Sequence, residues 1–275
     1  MSSEKRYEFT KENINLYLKE VAREYRKQAG KKMPAELVLI GGASVLINYG
    51  FRNMTTDIDA LIQASSVMKE AINHVGDRYG LPNGWLNADF MTTDSYSEKL
   101  SQFSVYYKTY ANIVTIRTVA AEYLIAMKLR SGRQYKSDLS DILGILTEHK
   151  KRGMPISMEQ IRTAVTSLYG NWESLPETSQ VFIENVMENG HFDELYEEAA
   201  SGEKEVGALL VQFEQNYPNA VTGENVDEIV GNLQKKTDRA TILAKLREKK
   251  TEIDQTKAQK GTVLKRITDI TFGRE

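Results

Sequence analysis

The sequence predicts an α/β (α+β) core over residues 1–152 followed by an all-helical region over 153–275. Three observations carry this division. Short β-branched and aromatic runs alternate with helix-period segments up to about residue 150, whereas beyond Pro155 only helical periodicity recurs. Formal charge changes with it: residues 1–154 sum to +5, residues 155–232 to −13 and residues 233–275 to +6. Gly170, Pro176, Gly190, Gly202 and Pro218 then punctuate the second region at helix-length intervals.

In chain order, Ile14, Leu18, Val21 and Tyr25 recur at helical steps, with Thr10 as N-cap and Gly30 as stop. Leu37 to Ile40 is a short apolar run ending in Gly41-Gly42, a buried strand feeding a tight turn. Ala43 to Tyr49 forms a short helix, and Thr56 to Ile62 a second strand. Val67, Met68, Ala71, Ile72 and Val75 mark a helix stopped near Gly80, and residues 81–95 are rich in turn formers and read as loop. Phe103 to Tyr107 and Asn112 to Val119 are two further strands; Ala120 to Arg130 and Ser137 to Lys150 are helices separated by Gly132. Ile229, Leu233, Ile242, Leu246 and Ile253 give partial helical spacing through the charged C-terminal segment.

Composition removes several chemistries. With no cysteine, disulfides, thiolate metal sites and a cysteine nucleophile are excluded. His74, His149 and His191 lie far apart and form no metal-binding pattern, so a metal here would take oxygen ligands. Apolar runs such as Leu37 to Ile40 are far too short to span a bilayer, and the polar first ten residues have no apolar signal core; the expectation is a cytoplasmic protein with no membrane partner.

The chemistry concentrates in residues 37–62. In a strand, Asp57 and Asp59 are two apart, so their carboxylates leave one face while Ile58 leaves the other. Two neighbouring acids repel unless a cation lies between them, and oxygen-only ligation suits Mg²⁺, which completes its shell with water and phosphate. Upstream, the Gly41-Gly42-Ala43-Ser44 turn presents backbone N–H groups at a helix start, a setting that favours phosphate.

Ile40-Gly41-Gly42-Ala43-Ser44 followed by Thr56-Asp57-Ile58-Asp59 resembles the signature of the nucleotidyltransferase superfamily, the DNA polymerase β-like fold. With Arg52 and Thr56 before the acids, it is similar to AbiEii-type toxins and related nucleotidyltransferases. The segment Glu122 to Arg130, and Lys136-Ser137-Asp138-Leu139-Ser140-Asp141-Ile142, resemble further elements of that group. The likeness covers roughly residues 35–150.

The resemblance implies a nucleotidyltransferase core with a mixed sheet, and a Mg²⁺-dependent enzyme that moves a nucleoside monophosphate from an NTP to an RNA, such as a tRNA end, or to a protein. It further implies a toxin–antitoxin or phage-defence role, with a cognate antitoxin as partner. Asp57 and Asp59 would hold the metal. Gly41, Gly42, Ser44, Arg52 and Lys128 would bind nucleotide, and Lys128, Asp138 and Asp141 would join the acids in catalysis, the two later aspartates orienting Lys128 or Arg133 or acting as base. A third carboxylate is absent from Asn112 to Val119, leaving Asp89 and Glu122 as candidates. Trp85 is either a packing anchor or a stacking platform, and the basic C-terminal segment could contact RNA phosphate. The alternative readings are an inactive nucleotide-binding module and a helical protein-interaction protein.

Overall fold

The computed structural model describes residues 7–133, 137–218, 220–222, 225, 226 and 228–232. The expected helix through Leu233, Ile242, Leu246 and Ile253, and the basic segment, lie outside these residues.

The first helix, α1 (Lys11–Ala29), starts at a reciprocal cap: Asn13 N–H donates to Thr10 Oγ1 at 3.4 Å, and Thr10 N–H donates to Asn13 Oδ1 at 2.8 Å. It ends at Gly30, and Ile14, Leu18, Val21 and Tyr25 are buried as their spacing predicts. Then follow β1 (Ala35–Leu39), α2 (Gly41–Asn48), β2 (Ile58–Gln63), α3 (Val67–Tyr79), β3 (Leu86–Asn87), β4 (Ser104–Tyr110) and β5 (Val114–Val119). The helices α4 (Ala121–Ser131), α5 (Asp138–Lys151), α6 (Met158–Tyr169), α7 (Glu177–Asn189) and α8 (Phe192–Asn216) follow the sheet.

The strands form one mixed sheet in the order β3-β2-β1-β5-β4. β1 pairs antiparallel with β2 and parallel with β5, β2 pairs parallel with β3, and β4 and β5 form an antiparallel hairpin. Period-two alternation sorts the central strands between two cores. Leu37, Leu39, Ile58, Ala60, Val114 and Ile116 pack with α1 and α3; Val38, Ile40, Leu61 and Val119 pack with α4, α5, α6 and α7.

The chain divides into two compact units, residues 1–203 and 204–275. The helices α6 and α7, beyond the expected boundary at residue 152, share the core of α4 and α5 within the first unit.

Several local expectations are corrected. Residues 81–95 are not all loop: β3 pairs with β2, Ile58 N–H donates to Trp85 O at 3.1 Å, and Asp89–Thr92 is a 3₁₀ turn. A two-residue strand has no periodicity to reveal it. Helix α2 begins at Gly41 rather than Ala43, and β2 begins at Ile58, leaving Asp57 just ahead of the strand. Gly202 does not break α8, consistent with a glycine cost of only about 1 kcal/mol in a helix interior.

Candidate active site

The site grows from the seam between β1 and β2. At the end of β1 the chain passes through Gly41 at φ +55°, a left-handed conformation that favours glycine, and enters α2 without a side-chain N-cap. Ile40 N–H donates to Asp59 O at 2.9 Å, fixing the mouth of α2 against β2. With Ile58 and Ala60 committed to the α1–α3 core and Leu61 to the other, alternation sends Asp59 toward α4 and α5. Asp59 Oδ2 lies 3.7 Å from where a Cβ on Gly41 would stand. Asp57 is exposed, its Oδ1 3.5 Å from Thr55 Oγ1.

These groups border a cavity of about 340 Å³. Asp57, Asp59, Asp89, Lys128, Arg133 and Asp138 supply its charged wall, Thr92, Thr93, Ser95 and Ser131 its hydroxyls, and Ile40, Phe90, Leu124 and Met127 its apolar side. Its volume lies within the range of small-molecule sites, roughly 300–1,000 Å³.

Lys128, Arg133 and Asp138 in this wall belong to an ion group that extends to Asp141 and Arg52. Lys128, 6% exposed, reaches Asp138 Oδ1 at 2.9 Å and Asp141 Oδ2 at 2.7 Å. Arg133 Nε bonds Asp138 Oδ2 at 3.0 Å, and the Arg52 guanidinium bonds Asp141 Oδ2. Asp138 and Asp141 share one helical face in the first turn of α5, where negative charge is also favoured by the helix dipole. Burial opposes ionisation of Lys128, but Asp138 and Asp141 outweigh it and raise the ammonium above its ordinary value. For Asp138 burial likewise favours the neutral acid, and Lys128 and Arg133 reverse this, holding it at about 2.

Arg52 is tied down rather than solvated. Its Nε donates to Met54 O at 2.9 Å, and its neighbour Phe51 packs against α5 where Gly144 leaves room. Gly42 serves the same packing, since a Cβ there would stand 2.6 Å from Thr55 Oγ1 and 3.0 Å from an Arg52 nitrogen.

The structure thus gathers Gly41, Asp57, Asp59, Lys128 and Asp138 on one cavity and joins Asp141 and Arg52 to it through Lys128 and Asp141. Ser44 is not brought there. It is fully buried with its hydroxyl unpartnered, because its place in α2 turns it into the core, and a phosphate contact from its side chain is withdrawn. Gly42 and Arg52 also lie off the cavity wall. Of the two candidates for a third acid, Asp89 borders the cavity and Glu122 does not. Trp85 is a packing anchor, 3% exposed, with Nε1 donating to Ile72 O at 3.2 Å. Missed from sequence was Glu203, a buried carboxylate that accepts from the first amides of α5; a lone Glu inside an acidic helix carries no signal of burial.

No helix among the described residues is long and apolar enough to cross a membrane. No curated protein and no solved structure matches the chain. A family model described as a nucleotidyltransferase of unknown function (DUF6036) matches residues 17–166, which run from α1 through the sheet, α4 and α5 into α6. That span is more than half of the 275 residues and contains every cavity-lining side chain, so the chain belongs to this nucleotidyltransferase family.

Proposed function

We propose that the cavity is the transferase centre and takes a Mg²⁺–NTP, with the triphosphate between the start of α2 and the Asp57–Asp59 pair. The observation that carries this reading is the convergence of Asp57, Asp59, the Gly41 backbone and Lys128 on one cavity. The acceptor is a hydroxyl on RNA, such as a tRNA end, or on a protein side chain. The likeness to AbiEii-type toxins supports a toxin–antitoxin or phage-defence setting with a cognate antitoxin.

The donor set fits Mg²⁺. Among the described residues no three His, Cys, Asp or Glu side chains are grouped to hold a metal, so the protein would contribute Asp57 and Asp59 and leave the other positions to water and phosphate. Mg²⁺ held there by Asp57 and Asp59 would supply charge neutralisation for the triphosphate and for the pyrophosphate that leaves as the acceptor oxygen bonds to the α-phosphorus. The first N–H groups of α2, lacking a side-chain cap, are suited to receive phosphate oxygens. Lys128 brings a cation whose position is fixed by two carboxylates, which favours electrostatic stabilisation without reorganisation. Held at about 2, Asp138 is a weak base at neutral pH, and its chemistry suits orienting Lys128 and Arg133 rather than accepting a proton.

The test is calorimetric titration of each NTP with Mg²⁺ into the wild type and Asp57→Asn/Asp59→Asn, followed by transfer of labelled NTP onto RNA and protein acceptors. The double variant should keep its circular dichroism and lose metal-dependent binding. Retained metal-dependent binding would remove the assignment.

A further inference from the structure

The N-terminus of α5 carries Asp138 and Asp141, yet Ser137, at the N-cap position, makes no side-chain cap bond. The amides of the first turn have no partner inside the helix and need one from elsewhere. Glu203, 64 residues beyond Leu139 on α8, supplies it. Its Oε1 accepts from Leu139 N–H at 2.8 Å and from Ser140 N–H at 3.4 Å. Glu203 is 8% exposed, and its Oε2 is buried without a hydrogen-bond partner. A carboxylate bought at such desolvation is an expensive cap, where a serine or threonine would serve at a surface helix.

We propose that Glu203 is a positioning residue of the transferase reaction: it holds the first turn of α5, and through it the Asp138–Lys128–Asp141 group, in the arrangement the chemistry uses. The proposal rests on reading the cavity as the transferase centre. Glu203 touches none of the residues assigned to metal or phosphate, and it acts through the α5 backbone. The charged groups around it are Asp141 on α5, neutralised by Lys128 from α4 and Arg52 from the loop after α2, and the titratable Tyr196 on α8 faces them as a neutral phenol. Burial raises the Glu203 carboxyl to about 7, Ser140 and the two amides hold it down, and Asp141 pushes it further up. Its charge therefore changes near neutral pH, beside a turn on which two aspartates depend.

Hydrogen exchange and steady-state transfer kinetics on the full chain, with Glu203→Ala and Glu203→Gln, test this. In Glu203→Ala the first-turn amides of α5 should exchange at least tenfold faster while α1 amides are unchanged. Turnover should fall at least tenfold, with the NTP KM within threefold of wild type. Glu203→Gln keeps an acceptor oxygen, so it should retain protection and most of the rate while losing an inflection near pH 7 in the rate profile. Wild-type turnover or wild-type α5 protection in Glu203→Ala overturns the proposal, as does a collapse of protection in Glu203→Gln. An inactive wild type would instead defeat the reading of the cavity; α5 protection in Glu203→Ala then decides alone whether Glu203 holds the turn.

Discussion

On the α1–α3 side of the sheet the buried positions are filled by Leu37, Leu39, Ile58, Val114, Ile116 and their helical partners. On the α4–α5 side similar aliphatic packing surrounds Lys128, Asp138 and Asp141, which with Glu203 are the buried charged residues among those described. A buried ion group is no more stabilising than well-packed apolar residues of similar volume, and it is often less so. Its confinement to the cavity side is accounted for by charge placement, and the other face shows what the same sheet does when only packing is required.

Breaking each side in turn separates the two roles. Lys128→Ala removes the cation that Asp138 and Asp141 share, leaves each buried carboxylate with one arginine, and should lower unfolding free energy by about 3 kcal/mol in urea titrations. It should also depress turnover of the folded fraction at least tenfold, equivalent to about 1.4 kcal/mol in the barrier. Leu37→Ala on the opposite face should cost about 2–5 kcal/mol through a cavity, with turnover of the folded fraction unchanged. Equal loss of turnover in both variants would erase the distinction.

Acid sharpens the comparison, because two carboxyls on the cavity side act with opposite sign. Asp138 is held below its ordinary value, so its contribution, about 2 kcal/mol, is present above pH 4 and lost as pH falls toward 2. Glu203 is raised, so the unfolded chain gives up its proton first and stability declines from about pH 4.5 to 7, by up to about 3 kcal/mol. Glu203→Gln should flatten the second slope and leave the first, as read by melting temperature against pH.

Smaller effects fall at the start of α2. Gly42→Val must displace Thr55 or Arg52, and should cost about 1–3 kcal/mol while weakening NTP binding in a titration. Ser44→Ala removes a buried hydroxyl without a partner, and should change stability by less than about 1 kcal/mol and NTP affinity not at all.

Much of this was legible in the residues themselves. The spacing of Ile14, Leu18, Val21 and Tyr25 gives α1, and the order of strand, glycine turn, helix and Asp-x-Asp gives the seam where Asp57 and Asp59 meet Gly41. Lys128 with Asp138 was legible as a pairing, since both stand on helices joined by a short connection. The burial of polar and charged side chains was not legible. An acidic turn reads alike whether it faces water or Lys128, and Ser44 reads as a phosphate ligand until the rotation of α2 is known. Contacts across long separations, such as Glu203 with Leu139 and Arg52 with Asp141, leave no local pattern.

The fit of Phe51 beside Gly144 bears on the order in which the molecule assembles. A methyl at residue 144 would stand 2.6 Å from the ring, so the loop bearing Arg52 is seated only on a helix that offers hydrogen there. Gly144 lies 93 positions beyond Phe51 in the chain, and closing a loop of that length costs entropy before any contact returns it. During synthesis β1, α2 and β2 therefore emerge with Arg52 still lacking Asp141, and Lys128 follows before Asp138. The ion group cannot close before α5 is made, so a nascent chain that stops short of α5 has its Asp-x-Asp pair but not the carboxylates that fix the cation beside it.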